Sequence, residues 1–171
     1  MIIFALLPLL LVSERLSLLG SKYVFTVSGI KVHVKNSDLI NAFILGKDKL
    51  VITSKILEIA PNEIRAVLAH ELAHMELRHY LINWVLLVVT VTGGTILGIL
   101  NQFPLLVVFL MSSLLIQRYV QRKLELQADK LASKVVGVNE MRSLLLRYGD
   151  KSSNIFSTHP SVFARISNLS S

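Results

Sequence analysis

From His79 to Gln117 the chain carries no Asp, Glu, Lys or Arg. A bilayer core about 30 Å thick takes about 20 apolar residues per helix, so this stretch predicts a transmembrane hairpin. Leu81 to Leu100 supplies one span, and Phe103 to Val120 a second if Arg118 extends its head group out of the apolar layer. Asn101-Gln102-Phe103-Pro104 reads as the turn, since Pro104 disfavours helix at Phe103 and suits the start of the next one. The second segment's uninterrupted apolar run is only about 14 residues, which leaves a re-entrant or tilted segment open. Gly94 and Gly98, one turn apart, are either a close-approach face for the partner helix or simply glycines of the kind common in membrane helices.

Charge gives the hairpin an orientation. Arg78 precedes it, Arg118, Arg122 and Lys123 come after it, and the connecting loop has none. By the positive-inside rule, both ends and the segments attached to them face the cytoplasm. The chain of 171 residues has 53% hydrophobic and 17% charged residues and a net charge of +7. Its basic residues are scattered and aromatics are only 7%, so the charge is not a nucleic-acid signature. With no cysteine, disulfide frameworks, thiolate metal sites and cysteine nucleophiles are all excluded, and any metal must be held by His and carboxylate. The opening run MIIFALLPLLLV lacks a basic flank and a small-residue cleavage site; it reads as membrane contact, either a short anchor or an interfacial helix, and not as a cleaved signal.

The remainder predicts one small α+β domain, mainly helical, with a small sheet, interrupted by the hairpin. Residues 1–20 form the apolar segment, 21–80 the first half of the domain, 81–120 the hairpin and 121–171 the second half. Tyr23 to Lys35 alternates β-branched residues around Ser28-Gly29, and Ala42 to Thr53 repeats the pattern around Gly46-Lys47-Asp48, a hairpin. From Pro61 the period becomes helical, predicting a helix of about 18 residues and leaving open whether it runs directly into the first span. Further helices are expected over Arg118 to Val136, Asn139 to Tyr148 and Pro160 to Leu169, with 149–158 as a linker.

The first of these helices contains His70-Glu71-Leu72-Ala73-His74, an H-E-x-x-H sequence. At about 100° per residue, His70 and His74 project from one face one turn apart, where their ring nitrogens can share a zinc ion. Glu71 sits on the adjoining flank, suited to deprotonate a water held by the metal. A catalytic zinc needs a third protein ligand. His79 lies about 180° around a continuous helix from His70 and is assigned instead to the membrane interface with Tyr80 and Trp84. A metzincin third histidine would fall at Tyr80, which excludes that branch. Glu125, in Leu124-Glu125-Leu126-Gln127-Ala128-Asp129, is the better candidate, with Asp129 one turn later able to accept the outer N–H of a ligating His. Taken alone, the two carboxylates are also consistent with a solvated pair beside Lys123 and Lys130.

Together these residues resemble the HtpX and CAAX prenyl endopeptidase family of membrane zinc metallopeptidases. The likeness spans about Asn36 to Leu169 and rests on Asn41-Ala42-Phe43, Leu68 to His74, the apolar hairpin, Glu125 to Asp129, and Thr158-His159-Pro160-Ser161 with Arg165-Ile166. It implies a gluzincin fold with one Zn2+ on His70, His74 and Glu125, and Glu71 as general base. It further implies that His159 stabilises the oxyanion, that Arg165 pairs with Asp129, and that Asn41, Ala42 and Phe43 lie on an edge strand where an extended polypeptide substrate docks. Read without the family, His159 is a residue at a helix start and Arg165 a surface charge. The CAAX enzymes enclose a chamber with several more helices, so misfolded or membrane proteins are the expected substrates and prenylated ones are not. Two alternatives are an intramembrane metalloprotease, which needs its motif within lipid, and an inactive adaptor that keeps the fold.

Overall fold

A computed structural model describes residues 17–27, 29–46, 48–155 and 157–169. The opening apolar run lies outside the described residues. Strands β1 (Ser21–Val27), β2 (Ile30–Lys35), β3 (Ala42–Leu45) and β4 (Lys49–Thr53) form one sheet in the order β1-β2-β4-β3. β1 and β2 pair antiparallel, as do β3 and β4, while β2 and β4 run parallel. β3 is therefore an edge strand. Alternation dictates which face is covered: Ile30, Val32 and Val34 of β2, Leu50 and Ile52 of β4, and Ala42 and Ile44 of β3 point the same way. They pack on Ile56 and on Ile64, Val67 and Leu68 of α1 (Pro61–Glu76).

The opposite face of α1 carries small residues. Ala66, Ala69 and Ala73 are buried, as are Ala128 and Ala132 of α3 (Phe103–Val136), and these short side chains let the two helices approach closely. Ala66, Ala69 and Ala132 share a core with Met141, Leu144 and Leu145 of α4 (Val138–Tyr148) and Leu169 of α5 (Val162–Leu169). Elements from before and after the apolar hairpin thus form a single core. Glu63, buried in the first turn of α1, is held by Arg147 and by the Tyr148 hydroxyl, which donates at 3.0 Å, tying α1 to the end of α4.

The hairpin consists of α2 (His79–Ile99) and the first part of α3, both long and apolar enough to cross a membrane. It resolves three points that the sequence-based expectation left open. α1 does not run into the first span: Leu77 N–H donates to Ala73 O, Arg78 N–H to Met75 O, and Arg78 adopts φ 52, which breaks the helix axis. Nor does the second apolar segment end where the domain resumes, for α3 is one helix of 34 residues. At about 1.5 Å per residue its length, roughly 50 Å, exceeds a bilayer core and carries the chain from the turn to Glu125. The close-approach face is also shifted. Gly93 lies against the Phe109 ring and Gly94 against Leu106 and Leu110, whereas Gly98 faces open space. Gln117 Nε2 donates to Thr90 Oγ1 at 3.0 Å across the same pair of helices.

Candidate metal centre

α1 presents His70 and His74 one turn apart, and α3, packed against it, presents Glu125. Their ligand atoms all lie within 4.8 Å of one another. The individual separations are 3.2 Å between the two Nε2 atoms, 3.5 Å from His70 Nε2 to Glu125 Oε2 and 3.3 Å from His74 Nε2 to Glu125 Oε1. Tetrahedral zinc with bonds of about 2.0–2.1 Å sets its ligand atoms about 3.3–3.4 Å apart; the donor set fits zinc in chemistry, and each His nitrogen lies near that distance from the other and from one of the two Glu125 oxygens.

Behind the ligands stand charge partners. His70 Nδ1 is 3.0 Å from Asp129 Oδ1. Arg165 donates from Nε and from a terminal nitrogen to the two Asp129 oxygens, each at 2.6 Å, and lies 3.5 Å from Glu125. Asp129 is fully buried; burial works against its charge, but Arg165 and His70 outweigh that and hold its carboxyl below the usual range. Burial also opposes charge on His70, yet Asp129 and Glu125 raise its pKa to about 9. Glu71 responds differently. Burial lifts its pKa above the usual carboxylate value, the direction that favours a proton acceptor working near neutrality.

His159, in the segment before α5, is half-exposed, and its Nδ1 is 3.1 Å from Glu125 Oε2. That contact raises its pKa. Arg122 Nε donates to Ser157 O at 3.2 Å and its guanidinium also reaches Asn154 O, so the same helix that carries Glu125 anchors this segment.

Asn41, Ala42 and Phe43 line a cavity of about 350 Å³ together with His70, Glu71, His74, Glu125 and His159. A second cavity, about 240 Å³, opens beside the same ligands and is floored by Val67, Met141, Leu144, Leu145 and Tyr148. Every candidate site residue therefore lines one of these two cavities or, like Asp129, stands directly behind a ligand. His79 gathers there too, contrary to the expectation that an unbroken helix would turn it away from His70. The left-handed Arg78 turns the chain so that His79 is buried with its Nδ1 2.8 Å from His74 Nδ1, and Tyr80 and Asn83 line the larger cavity with it. A left-handed residue that ends a helix is usually Gly or Asn, so an Arg there gives no warning in the sequence.

An H-E-x-x-H helix joined by a glutamate from a second helix is the donor set of the gluzincin class of metallopeptidase. Residues 20–171 match peptidase family M48, and the chain belongs to that family. It is 28% identical over 196 aligned positions to Protease HtpX of Legionella pneumophila strain Corby, across 81% of this chain and 69% of that protein. Protease HtpX of strain Lens is similar to the same extent. In fold it is similar to the crystal structure of S. mikatae Ste24p, with a TM-score of 0.69 at 18% identity over 98% of this chain. The chain spans 56% of that structure.

Proposed function

We propose that the chain is a membrane-anchored zinc endopeptidase that binds one Zn2+ on His70, His74 and Glu125 and cleaves misfolded or membrane polypeptides at the cytoplasmic surface. The observation that carries this reading is a His70–His74–Glu125 donor set gathered within 4.8 Å, with Glu71 in the same cavity beside the edge strand β3.

An extended polypeptide adds to the free edge of β3 by backbone hydrogen bonds, with Asn41, Ala42 and Phe43 as its neighbours. When bound, zinc supplies Lewis acidity, polarising the scissile carbonyl and acidifying the attacking water. Glu71 takes the proton of that water and hands it to the leaving amine. His159 donates a hydrogen bond to the carbonyl oxygen as charge builds on it. Asp129 fixes His70 through Nδ1, and Arg165 neutralises Asp129 and ties α5 to the site.

The test is zinc content together with casein hydrolysis in detergent-purified protein. Wild type is expected to hold one zinc and to degrade casein; Glu71→Gln keeps the zinc and loses about 10²- to 10⁴-fold in rate. Glu125→Ala loses the zinc. A Glu71→Gln protein as fast as wild type sinks the mechanism, and a zinc-free wild type sinks the metal site.

A further inference from the structure

Each metal-ligating histidine has a second ring nitrogen, and a histidine ligates only when the proton sits on the nitrogen facing away from the metal. For His70 the outer nitrogen faces Asp129. For His74 it faces, among the described residues, His79, whose Nδ1 is 2.8 Å away, the two rings meeting edge to face with centroids 4.8 Å apart. Between two imidazole nitrogens at that distance there is room for one proton. If His79 held it, His74 would accept through Nδ1 and its own proton would sit on Nε2, the atom that faces His70 and Glu125.

We propose that His79 is a positioning residue of the metal centre: its Nδ1 accepts the Nδ1–H of His74 and so holds His74 in the tautomer whose Nε2 is open to ligate. The arrangement is built into the backbone. His79 is the first residue of α2 and is 2% exposed, and it reaches His74 only because Arg78 takes the left-handed turn between the two helices. The metal ligand is thereby joined to the first turn of an apolar span, so α2 sets the orientation of the imidazole from below, as α3 does for His70 through Asp129.

The inference rests on the zinc site proposed above. The test uses the full chain in detergent micelles, titrated with zinc against a chromophoric chelator, and the cobalt-substituted protein's visible absorption spectrum. His79→Phe keeps a ring of similar size and removes the acceptor; it is expected to weaken zinc binding by about 10- to 100-fold and to alter the cobalt bands. His79→Asn restores an acceptor and is expected to stay within a few-fold of wild type. Thermal melts of the metal-free proteins verify folding. Wild-type affinity and spectrum in His79→Phe overturn the proposal, as does a His79→Asn protein as impaired as His79→Phe, which would assign the effect to packing. If His79→Phe does not fold, His79→Asn decides alone: a folded variant with tenfold or greater loss of affinity overturns it. Failure of the zinc site itself reads differently, as no zinc in wild type.

Discussion

Asp129 and Arg165 form a buried, doubly hydrogen-bonded pair that connects α3 to α5, and Asp129 also faces His70. Removing one partner of such a pair leaves an uncompensated charge, at a typical cost of about 3–5 kcal/mol. Arg165→Ala is therefore expected to lower stability by about that amount, measured by denaturant unfolding in detergent, and to weaken zinc binding as well. His70 gives a pH signature. Its pKa rises from 6.5 to about 9 in the folded, metal-free protein. A raised value means that its contribution to stability is complete below about pH 6.5 and is lost as pH climbs through about 9. Chelator-treated protein should melt at lower temperature at pH 9.5 than at pH 7, and a His70→Gln variant should lose this alkaline slope. At this scale the sequence is readable where chemistry demands a fixed spacing. H-E-x-x-H needs one helix turn, so His70, Glu71 and His74 are legible from residue order alone. Glu125 and Asp129 lie beyond the hairpin and are reached by the need for a third ligand and for a partner to a ligating His, whereas only the family likeness links His159 and Arg165 to the site in advance. His79 escapes such reasoning because the angular argument assumes an unbroken helix.

Helix boundaries explain both the successes and the miss. Asn101, at φ 54, ends α2 with a residue that tolerates the left-handed region, and Pro104 begins α3, so that turn is visible in the sequence. Arg78, at φ 52, does the same job for α1 without any marker. Packing along the hairpin is likewise half legible: glycines are evident, but which of them meets α3 depends on rotation about the helix axis. A Cβ at Gly93 would come within 2.5 Å of the Phe109 ring, whereas Gly98 has nothing within 4 Å. Gly93→Leu is expected to splay the hairpin and lower the melting temperature in detergent, and Gly98→Leu to leave it unchanged. Equal effects would contradict this packing. The cavity between α1 and α4 carries an expectation about substrate. Its floor of Val67, Met141, Leu144 and Leu145 is apolar, so among peptides differing at one residue next to the cleaved bond, Leu or Phe should be preferred over Asp or Lys in kcat/KM. Leu144→Lys should reverse that preference toward acidic side chains.

Across the whole molecule, the sheet, the site and the hairpin are positioned by two helices that begin or end near one level. α2 starts at His79, within the site, and α3 leaves its apolar stretch at Arg118, seven residues or roughly 10 Å of helix before Glu125. A bilayer around the apolar parts of α2 and α3 therefore places the metal centre close above the membrane surface, with β3 beside it to receive polypeptide. The proposed cytoplasmic side rests on charge alone: Arg78, Arg118, Arg122 and Lys123 lie at the site end and the Asn101–Gln102 loop is uncharged. Because the chain has no cysteine, the orientation is open to direct measurement. Single variants Asn101→Cys and Lys151→Cys, expressed in intact bacterial cells, are exposed to a membrane-impermeant maleimide before and after permeabilisation. Asn101→Cys is expected to label in intact cells and Lys151→Cys only once the inner membrane is breached. The reverse pattern would put the metal centre outside the cytoplasm, and labelling of both in intact cells would mean that the hairpin does not cross. Either result would leave the site chemistry untouched while replacing the substrates it can meet.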